Sequence, residues 1–160
     1  MRLRDVARFD VRATTVNETE AALREAGRRG DELFLFWSGV IEGDAFKVRT
    51  LHCPTQSCRK SSRGLSVHID GDALHDQARW LAEHRELLGV QIHTHPEDAY
   101  HSEADDEHAA VTLTGAVSIV VPDFARRAVF HPGTSIFRLY DSGWDFVESS
   151  EEARLFRVTD

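Results

Sequence analysis

The spacing of apolar residues in the first third of the chain predicts a helix followed by a β-hairpin. In "VNETEAALREAGRRG" the apolar residues recur at a roughly helical spacing: Val16, Leu23 and Ala26. We expect Gly27 and Gly30 to end this helix. "ELFLFWSGVIEG" and "DAFKVRTLH" are rich in aromatic and β-branched residues and are separated by Gly43 and Asp44. This pattern predicts two strands joined by a turn.

The middle of the chain alternates between polar segments and segments with regularly spaced apolar residues. "CPTQSCRKSSRG", residues 53–64, is polar and rich in turn residues, so we expect a mobile loop there. "LSVHID" predicts a short strand. "GDALHDQARWLAEHRELLG" predicts a helix that Gly89 closes, with its apolar residues on one face: Leu74, Ala78, Leu81 and Leu88.

Strands dominate the predicted second half. "VQIHTHP" is strand-like, and "VTLTGAVSIVVPDF" is apolar enough for a central buried strand. "TSIFRLYDSGWDFVE" predicts a hairpin that turns at Asp141, Ser142 and Gly143. The order predicts an α/β (α+β) fold in which about three helices flank a mixed sheet, a three-layer sandwich. With 160 residues, we expect a single domain over 1–160.

Composition and charge narrow the functional classes. No apolar span reaches transmembrane length and no secretory segment follows Met1, so we expect a cytoplasmic protein without a membrane partner. The net charge is −8, and the basic residues are scattered apart from "RKSSR", which argues against nucleic acid as a partner. Cys53 and Cys58 are the two cysteines, and their C-x₄-C spacing is typical of plain thiols rather than of a zinc site.

Histidines and carboxylates concentrate in "QIHTHPEDAYHSEADDEH". Because side chains alternate along a strand, His93 and His95 point to the same face and can reach one ion. Pro96 ends the strand, and Ser102 is suited to cap a following helix whose first turn contains Asp105. Two imidazoles and one carboxylate suit Zn²⁺ and leave a fourth position for water, which is typical of a catalytic site.

Each part of this pattern also has a simpler interpretation. An H-x-H strand is often a pair of hydrogen-bonded histidines, and acidic residues at a helix start interact favourably with the helix dipole. A metal-bound water also needs a base, for which Glu32 is the best candidate at the start of "ELFLFWSG". Glu32 has the alternative role of marking the solvent edge of that strand.

Three segments together resemble the signature of the JAMM/MPN (JAB-domain) metalloproteases. They are "ELFLFWSG" from Glu32 to Gly39, "HTHP" from His93 to Pro96, and "SEAD" from Ser102 to Asp105. The predicted element order also resembles the MPN fold. The resemblance implies one catalytic zinc ion held by His93, His95 and Asp105, with Glu32 as general acid/base on the zinc water and Ser102 helping to hold the oxyanion.

The segment after the histidines departs from the family pattern. The family usually places ten residues between the second histidine and the aspartate, which here selects Asp106, whereas the S-x-x-D register selects Asp105. We prefer Asp105 because Ser102 and the aspartate then share one helical turn. Asp106 is the alternative ligand, and His101 and His108 are further candidates for an ancillary ligand or a supporting hydrogen bond.

The resemblance implies cleavage after the C-terminal tail of a ubiquitin-like protein, by deconjugation or precursor processing. The acidic "HSEADD" is similar to bacterial JAB proteins that accompany ubiquitin-like conjugation systems, so activating-enzyme-like and conjugating-enzyme-like proteins are the expected partners. Two alternatives remain. One is a non-catalytic MPN-type scaffold, which the complete signature disfavours, and the other is a zinc hydrolase of a small amide or another peptide.

The two ligand registers predict opposite mutant rankings. Asp105→Ala should lower metal affinity by a large factor, whereas Asp106→Ala should behave as a surface change within about 0.5 kcal/mol in the free energy of unfolding. Elemental analysis and metal titration of the two variants measure this. Replacing Cys53 and Cys58 by serine is the control and should leave the metal content unchanged. The opposite ranking of the aspartates would show that loop length determines the ligand.

Overall fold

A mixed β-sheet is the central element of the computed structural model, which describes residues 1–100 and 110–160. The strands are β1 (Arg8–Arg12), β2 (Phe34–Glu42), β3 (Ala45–His52), β4 (Gln56–Ser61), β5 (Gly64–Ile69), β6 (Leu87–Thr94), β7 (Val117–Val121), β8 (Ser135–Tyr140), β9 (Gly143–Phe146) and β10 (Phe156–Thr159). The helices are α1 (Ala13–Arg28), α2 (Gly71–His84) and α3 (Ser149–Leu155).

Eight strands form one sheet in the order β10-β1-β3-β2-β6-β7-β8-β9, and β4 and β5 form a separate hairpin. Both parallel and antiparallel neighbours occur, since β6 runs parallel to β7 but antiparallel to β2. The predicted α/β class, with helices flanking a mixed sheet, is confirmed. None of the described helices is long and apolar enough to cross a bilayer.

The centre of the sheet is apolar on the side that faces α1. Leu35 and Trp37 of β2 and Val90 and Ile92 of β6 are fully buried. The Trp37 indole Nε1 donates a hydrogen bond to Thr19 Oγ1 of α1 at 2.9 Å. This contact gives the one polar atom of the Trp37 side chain a hydrogen-bond partner inside the core. It also fixes the position of α1 relative to β2.

The predicted loop over residues 53–64 is wrong in its central part. Residues 56–61 form β4, which pairs antiparallel with β5. Only the tip of the hairpin, at residues 62 and 63, is a turn. Strand β4 escaped prediction because its half-buried positions are Gln56 and Cys58, so the apolar period of an ordinary strand is absent.

Two glycines, Gly27 and Gly89, have roles other than the predicted ones, whereas Gly30 follows the end of α1 as predicted. Helix α2 ends at His84, because Arg85 takes a left-handed conformation with φ of 55°, and Gly89 lies inside β6. There it leaves room for the Phe46 ring, which a Cβ atom would approach to 2.5 Å. Gly27 lies within α1 and Gly30 follows the helix with φ of 73°. At β7, the predicted long strand is reduced to its five buried residues.

Strands β1 and β10 and helix α3, which the patterns did not predict, complete one edge of the sheet around a buried carboxylate. Asp10 is 4% exposed and accepts hydrogen bonds from Lys47 and, at 2.9 and 2.6 Å, from Arg157. Burial alone would raise the pKa of Asp10, but the hydrogen bonds and charges of Lys47 and Arg157 outweigh it and leave the pKa lowered. The carboxylate therefore joins β1 to both of its neighbours, β3 and β10.

Asp10→Asn should lower the free energy of unfolding at neutral pH by about 1–3 kcal/mol, because it removes a buried negative charge that contacts three cations, Arg8, Lys47 and Arg157. Since the folded pKa lies below the unfolded one, this stabilisation is complete above the unfolded pKa and is lost as pH falls through the folded pKa. Urea denaturation at neutral and acidic pH measures the difference, with exposed Asp145→Asn as control. A difference that stays constant into acid would contradict the assignment.

Candidate metal centre

Two histidine side chains meet at the carboxyl end of β6. His93 is fully buried and His95 is 5% exposed, and their Nε2 atoms lie 3.2 Å apart. Both residues lie on the same face of the chain, as strand alternation predicts, while Ile92 takes the opposite face. The expected pairing of the two imidazoles is therefore present in the structure.

The distance between the two nitrogen atoms fits a shared metal ion. Two nitrogens that each lie about 2.0–2.1 Å from a tetrahedral zinc ion are roughly 3.3 Å apart. The same separation also permits a hydrogen bond between the rings. Within residues 1–100 and 110–160 no group of three or more metal-ligating side chains gathers, so the histidines form a two-nitrogen donor set there. Ser102, Asp105, Asp106, His101 and His108 lie outside the described residues.

Aromatic rings orient both imidazoles. The Phe34 ring stacks on His93 with centroids 4.3 Å apart and an interplanar angle of 8°. The Tyr100 ring meets His95 edge to face at 4.5 Å. Such contacts restrict rotation of the imidazoles and keep water from their faces. The sequence analysis did not identify Phe34 or Tyr100, although Phe34 lies within the "ELFLFWSG" segment.

Glu32 lies next to this pair along the register of the sheet. Phe34 pairs with His93, and continuing the antiparallel register by two residues sets Glu32 opposite His95. The Leu33 backbone N–H donates to Thr94 Oγ1 at 3.3 Å, which holds the segment before β2 against the end of β6. Glu32 is half buried. Strand β2 begins only at Phe34, so Glu32 precedes the strand rather than starting it.

Comparisons with known proteins agree with this arrangement. A family profile described as prokaryotic homologs of the JAB domain matches residues 12–136. A protein of Sinorhizobium fredii named "Probable metalloprotease y4jG" is 33% identical over 158 residues, which cover 98% of each chain. The chain belongs to the prokaryotic JAB domain family.

Solved structures share the fold of this JAB-domain protein. The solution structure of a Desulfitobacterium hafniense protein has a TM-score of 0.59 at 14% identity and covers 95% of this chain and 93% of its own. The solution structure of a Salinibacter ruber protein has a TM-score of 0.55 at 18% identity, with 88% of both chains covered. At these identities the similarity concerns the fold alone.

An unusual turn contacts the backbone of His95 in this JAB-domain protein. Asp123, Phe124 and Ala125 follow β7 with φ of 53°, 51° and 56°, a left-handed conformation that is unfavourable for residues with a side chain. The Phe124 N–H donates to the His95 carbonyl oxygen at 2.9 Å, and the His95 N–H donates to Val121 at 3.0 Å. The backbone polar groups of His95 are thus held by the last residue of β7 and by the turn that follows it.

Helix α1 holds this left-handed turn in place. The Arg24 guanidinium Nε donates to the Ala125 carbonyl oxygen at 2.9 Å. A Cβ atom at Gly27 would lie 2.5 Å from Phe124 Cβ and 2.9 Å from its carbonyl oxygen. Gly27 therefore allows the close contact between α1 and the turn, which is its structural role in place of the predicted helix stop.

A second polar cluster on β2 combines serine, histidine and glutamate but does not form a hydrolytic triad. Ser38 Oγ lies 2.7 Å from His52 Nε2 and donates to Glu86 at 2.5 Å. Because the serine proton is directed at Glu86, His52 Nε2 must carry a proton to complete its own contact and is not a base for the serine. Burial lowers the pKa of His52, although the Glu86 charge opposes it. Ser38 is also fully buried.

Gly27→Ala should destabilise the protein by about 1–3 kcal/mol, because the added methyl group overpacks the contact with Phe124. It should also shift the NMR signals of the Phe124 and His95 amides. Gly71→Ala is the matched control, because it is also a helical glycine but nothing lies within 4 Å of its added Cβ. Chemical denaturation and an amide spectrum measure both effects. Equal stability of the two variants would contradict this role of Gly27.

Proposed function

We propose that this JAB-domain protein is a zinc-dependent metallopeptidase that cleaves after the C-terminal tail of a ubiquitin-like protein. The observation that carries the proposal is the buried pair of imidazole nitrogens of His93 and His95, 3.2 Å apart. Family membership and the relative named a probable metalloprotease support metal-dependent hydrolysis in general. The ubiquitin-like substrate rests on the resemblance of the signature segments.

The histidines supply the nitrogen ligands in this proposal. His93 and His95 would hold the metal with Asp105, and the rings of Phe34 and Tyr100 keep the two imidazoles oriented. When bound, zinc would supply the Lewis acidity that polarises the scissile carbonyl and lowers the pKa of a water molecule. A preoriented ligand pair lowers the entropic cost of binding the ion.

Glu32 is the proton carrier. It accepts the proton that the attacking water loses and passes it to the leaving amine nitrogen, so no covalent bond to the protein forms. Its position two residues before Phe34 suits this role, because Leu33 is anchored to Thr94 and the carboxylate follows the register toward His95. Ser102 is proposed to stabilise the oxyanion of the tetrahedral species.

The β4–β5 hairpin is the candidate site for an extended substrate tail. Within the described residues, each of its strands pairs with the other strand alone, so each presents an unpaired backbone edge. A tail added to such an edge is held by backbone hydrogen bonds whatever its sequence. The hairpin also lies next to Glu32, because Cys58 of β4 is within hydrogen-bonding reach of the Glu32 backbone N–H. This placement would lead a bound tail toward the histidine pair.

Glu32→Gln should separate metal binding from catalysis. The amide keeps the size of the side chain but cannot accept a proton, so we expect about one zinc per chain in both proteins and a fall in turnover of about 10²–10⁴ in the variant. Zinc is measured by elemental analysis of protein without a histidine tag. Turnover is measured with a ubiquitin-like protein joined through its C-terminal tail to a reporter.

Glu42→Gln is the matched control, because Glu42 is at the far end of β2 and exposed. It should leave zinc content and turnover unchanged. Full activity of Glu32→Gln would contradict the proton-carrier role, and loss of zinc together with activity would make Glu32 a ligand or a folding residue. Absence of zinc from the wild-type protein after zinc is supplied would contradict the metal site. Cleavage of a small amide but not of the ubiquitin-like fusion would favour the small-substrate alternative.

A further inference from the structure

Strand β2 loses its β3 partner just before it reaches the histidine pair. The last paired position is Phe36 with His52, and the same register continued by two residues would set Pro54 opposite Phe34. Proline has no backbone N–H and cannot donate to a neighbouring strand. The Phe34 carbonyl oxygen therefore needs a donor other than Pro54, and because the Pro54 carbonyl oxygen accepts from Gln56, the Phe34 N–H also needs another acceptor.

The side-chain amide of Gln56 supplies both. Its Oε1 accepts from the Phe34 backbone N–H at 2.8 Å, and its Nε2 donates to the Phe34 carbonyl oxygen at 2.8 Å. The same Nε2 donates to the Pro54 carbonyl oxygen at 3.0 Å. An amide side chain thus replaces one residue of a paired strand at the position where Pro54 cannot serve.

Phe34 connects this amide to the candidate metal centre. Its backbone pairs with Gln56 on one side and lies opposite His93 on the other, and its ring stacks on the His93 imidazole. Glu32 is two residues away along the chain. A displacement of the Phe34 backbone would therefore move both the proposed proton carrier and the ring that orients one histidine.

Other residues of β4 contact the same segment at intervals of two residues. The Cys58 thiol is within hydrogen-bonding reach of the Glu32 backbone N–H. Lys60 Nζ lies 3.4 Å from the Asp31 carboxylate and donates to the Arg29 carbonyl oxygen at 3.3 Å. Gln56, Cys58 and Lys60 of β4 thus contact the chain between Arg29 and Phe34. The two hydrogen bonds between Gln56 and Phe34, at 2.8 Å, are shorter than the contacts of Lys60.

We propose that Gln56 is a positioning residue. Its amide fixes the backbone of Phe34 and so holds Glu32 at the histidine pair. Catalysis therefore depends on how the β4–β5 hairpin packs against the start of β2. The catalytic part of this inference rests on the proposed function. Gln56 itself does not touch the reacting atoms. Its two hydrogen bonds to one residue restrict rotation of the Phe34 peptide groups more than a single bond would, and misplacement of a catalytic group by about 1 Å can lower turnover by about 10².

Gln56→Met tests the proposal, because methionine has a similar length and cannot replace either strong hydrogen bond. Glu42→Gln is the control, because Glu42 is exposed at the far end of β2 and lies outside the β4–β5 hairpin. Gln56→Glu keeps an acceptor for the Phe34 N–H but loses the donor to the two carbonyl oxygens. Three quantities are measured on each protein: amide hydrogen exchange at Phe34, zinc content, and kcat and KM with the ubiquitin-like reporter fusion.

In Gln56→Met we expect Phe34 exchange to be about tenfold faster or more, because its N–H loses its acceptor. Exchange at Phe36, which is paired with β3, should change little. Turnover should fall by about 10–10², mainly in kcat, with zinc content kept near the wild-type value. Gln56→Glu should protect the Phe34 amide better than the methionine variant, and Glu42→Gln should match wild type throughout.

Unchanged Phe34 exchange in Gln56→Met would overturn the positioning role, and so would fast exchange with wild-type kcat. Uniformly faster exchange across β2 and β6 would also overturn it, because it would indicate general destabilisation. These results are distinguishable from failure of the proposed function, in which Glu32→Gln remains fully active or wild type binds no zinc. The exchange measurement needs neither metal nor substrate and decides the structural step alone.

Discussion

The antiparallel pairing of β2 with β6 is the constraint on which the rest of the site depends. Its register sets Phe34 opposite His93 and directs the chain before β2 toward His95. A slip of one residue would turn both histidines to the other face of the sheet. The register is specified by the core, because Leu35, Trp37 and Ile92 are fully buried on the α1 side and would be moved out of it by the same slip.

Separate elements hold the end of β6 from several directions. The left-handed turn after β7 binds the His95 carbonyl oxygen, the end of β7 binds the His95 N–H, and α1 holds the turn through Arg24 and the space left at Gly27. The left-handed conformation is unfavourable for residues with a side chain, so the surrounding contacts must offset the backbone strain of this turn. On the other side, Gln56 completes the edge of β2 where β3 has ended. The geometry of the histidine pair is therefore determined by the elements packed around the end of β6.

Short-range patterns in the sequence predicted the elements that have a strong period or a clear turn. Helix α1, the β2–β3 hairpin and the β8–β9 hairpin were found because apolar spacing and turn residues agree within each segment. Strand β4 was missed, since its inward residues contact the polar chain at residues 29–34 and carry no apolar period. The end of α2 was misplaced because the apolar residues of the helix are followed directly by those of β6.

The sequence by itself determined which side chains are candidates for the site. Strand alternation put His93 and His95 on one face, and the signature segments singled out Glu32, because both depend on residue identity and spacing over a few positions. Only the tertiary structure decided that β2 pairs with β6 in the register that directs the chain before Phe34 toward His95, that Phe34 stacks on His93, and that Gln56 replaces one residue of a paired strand. These contacts join residues that are far apart in the chain, and their geometry depends on sheet register and on packing, which no local pattern encodes.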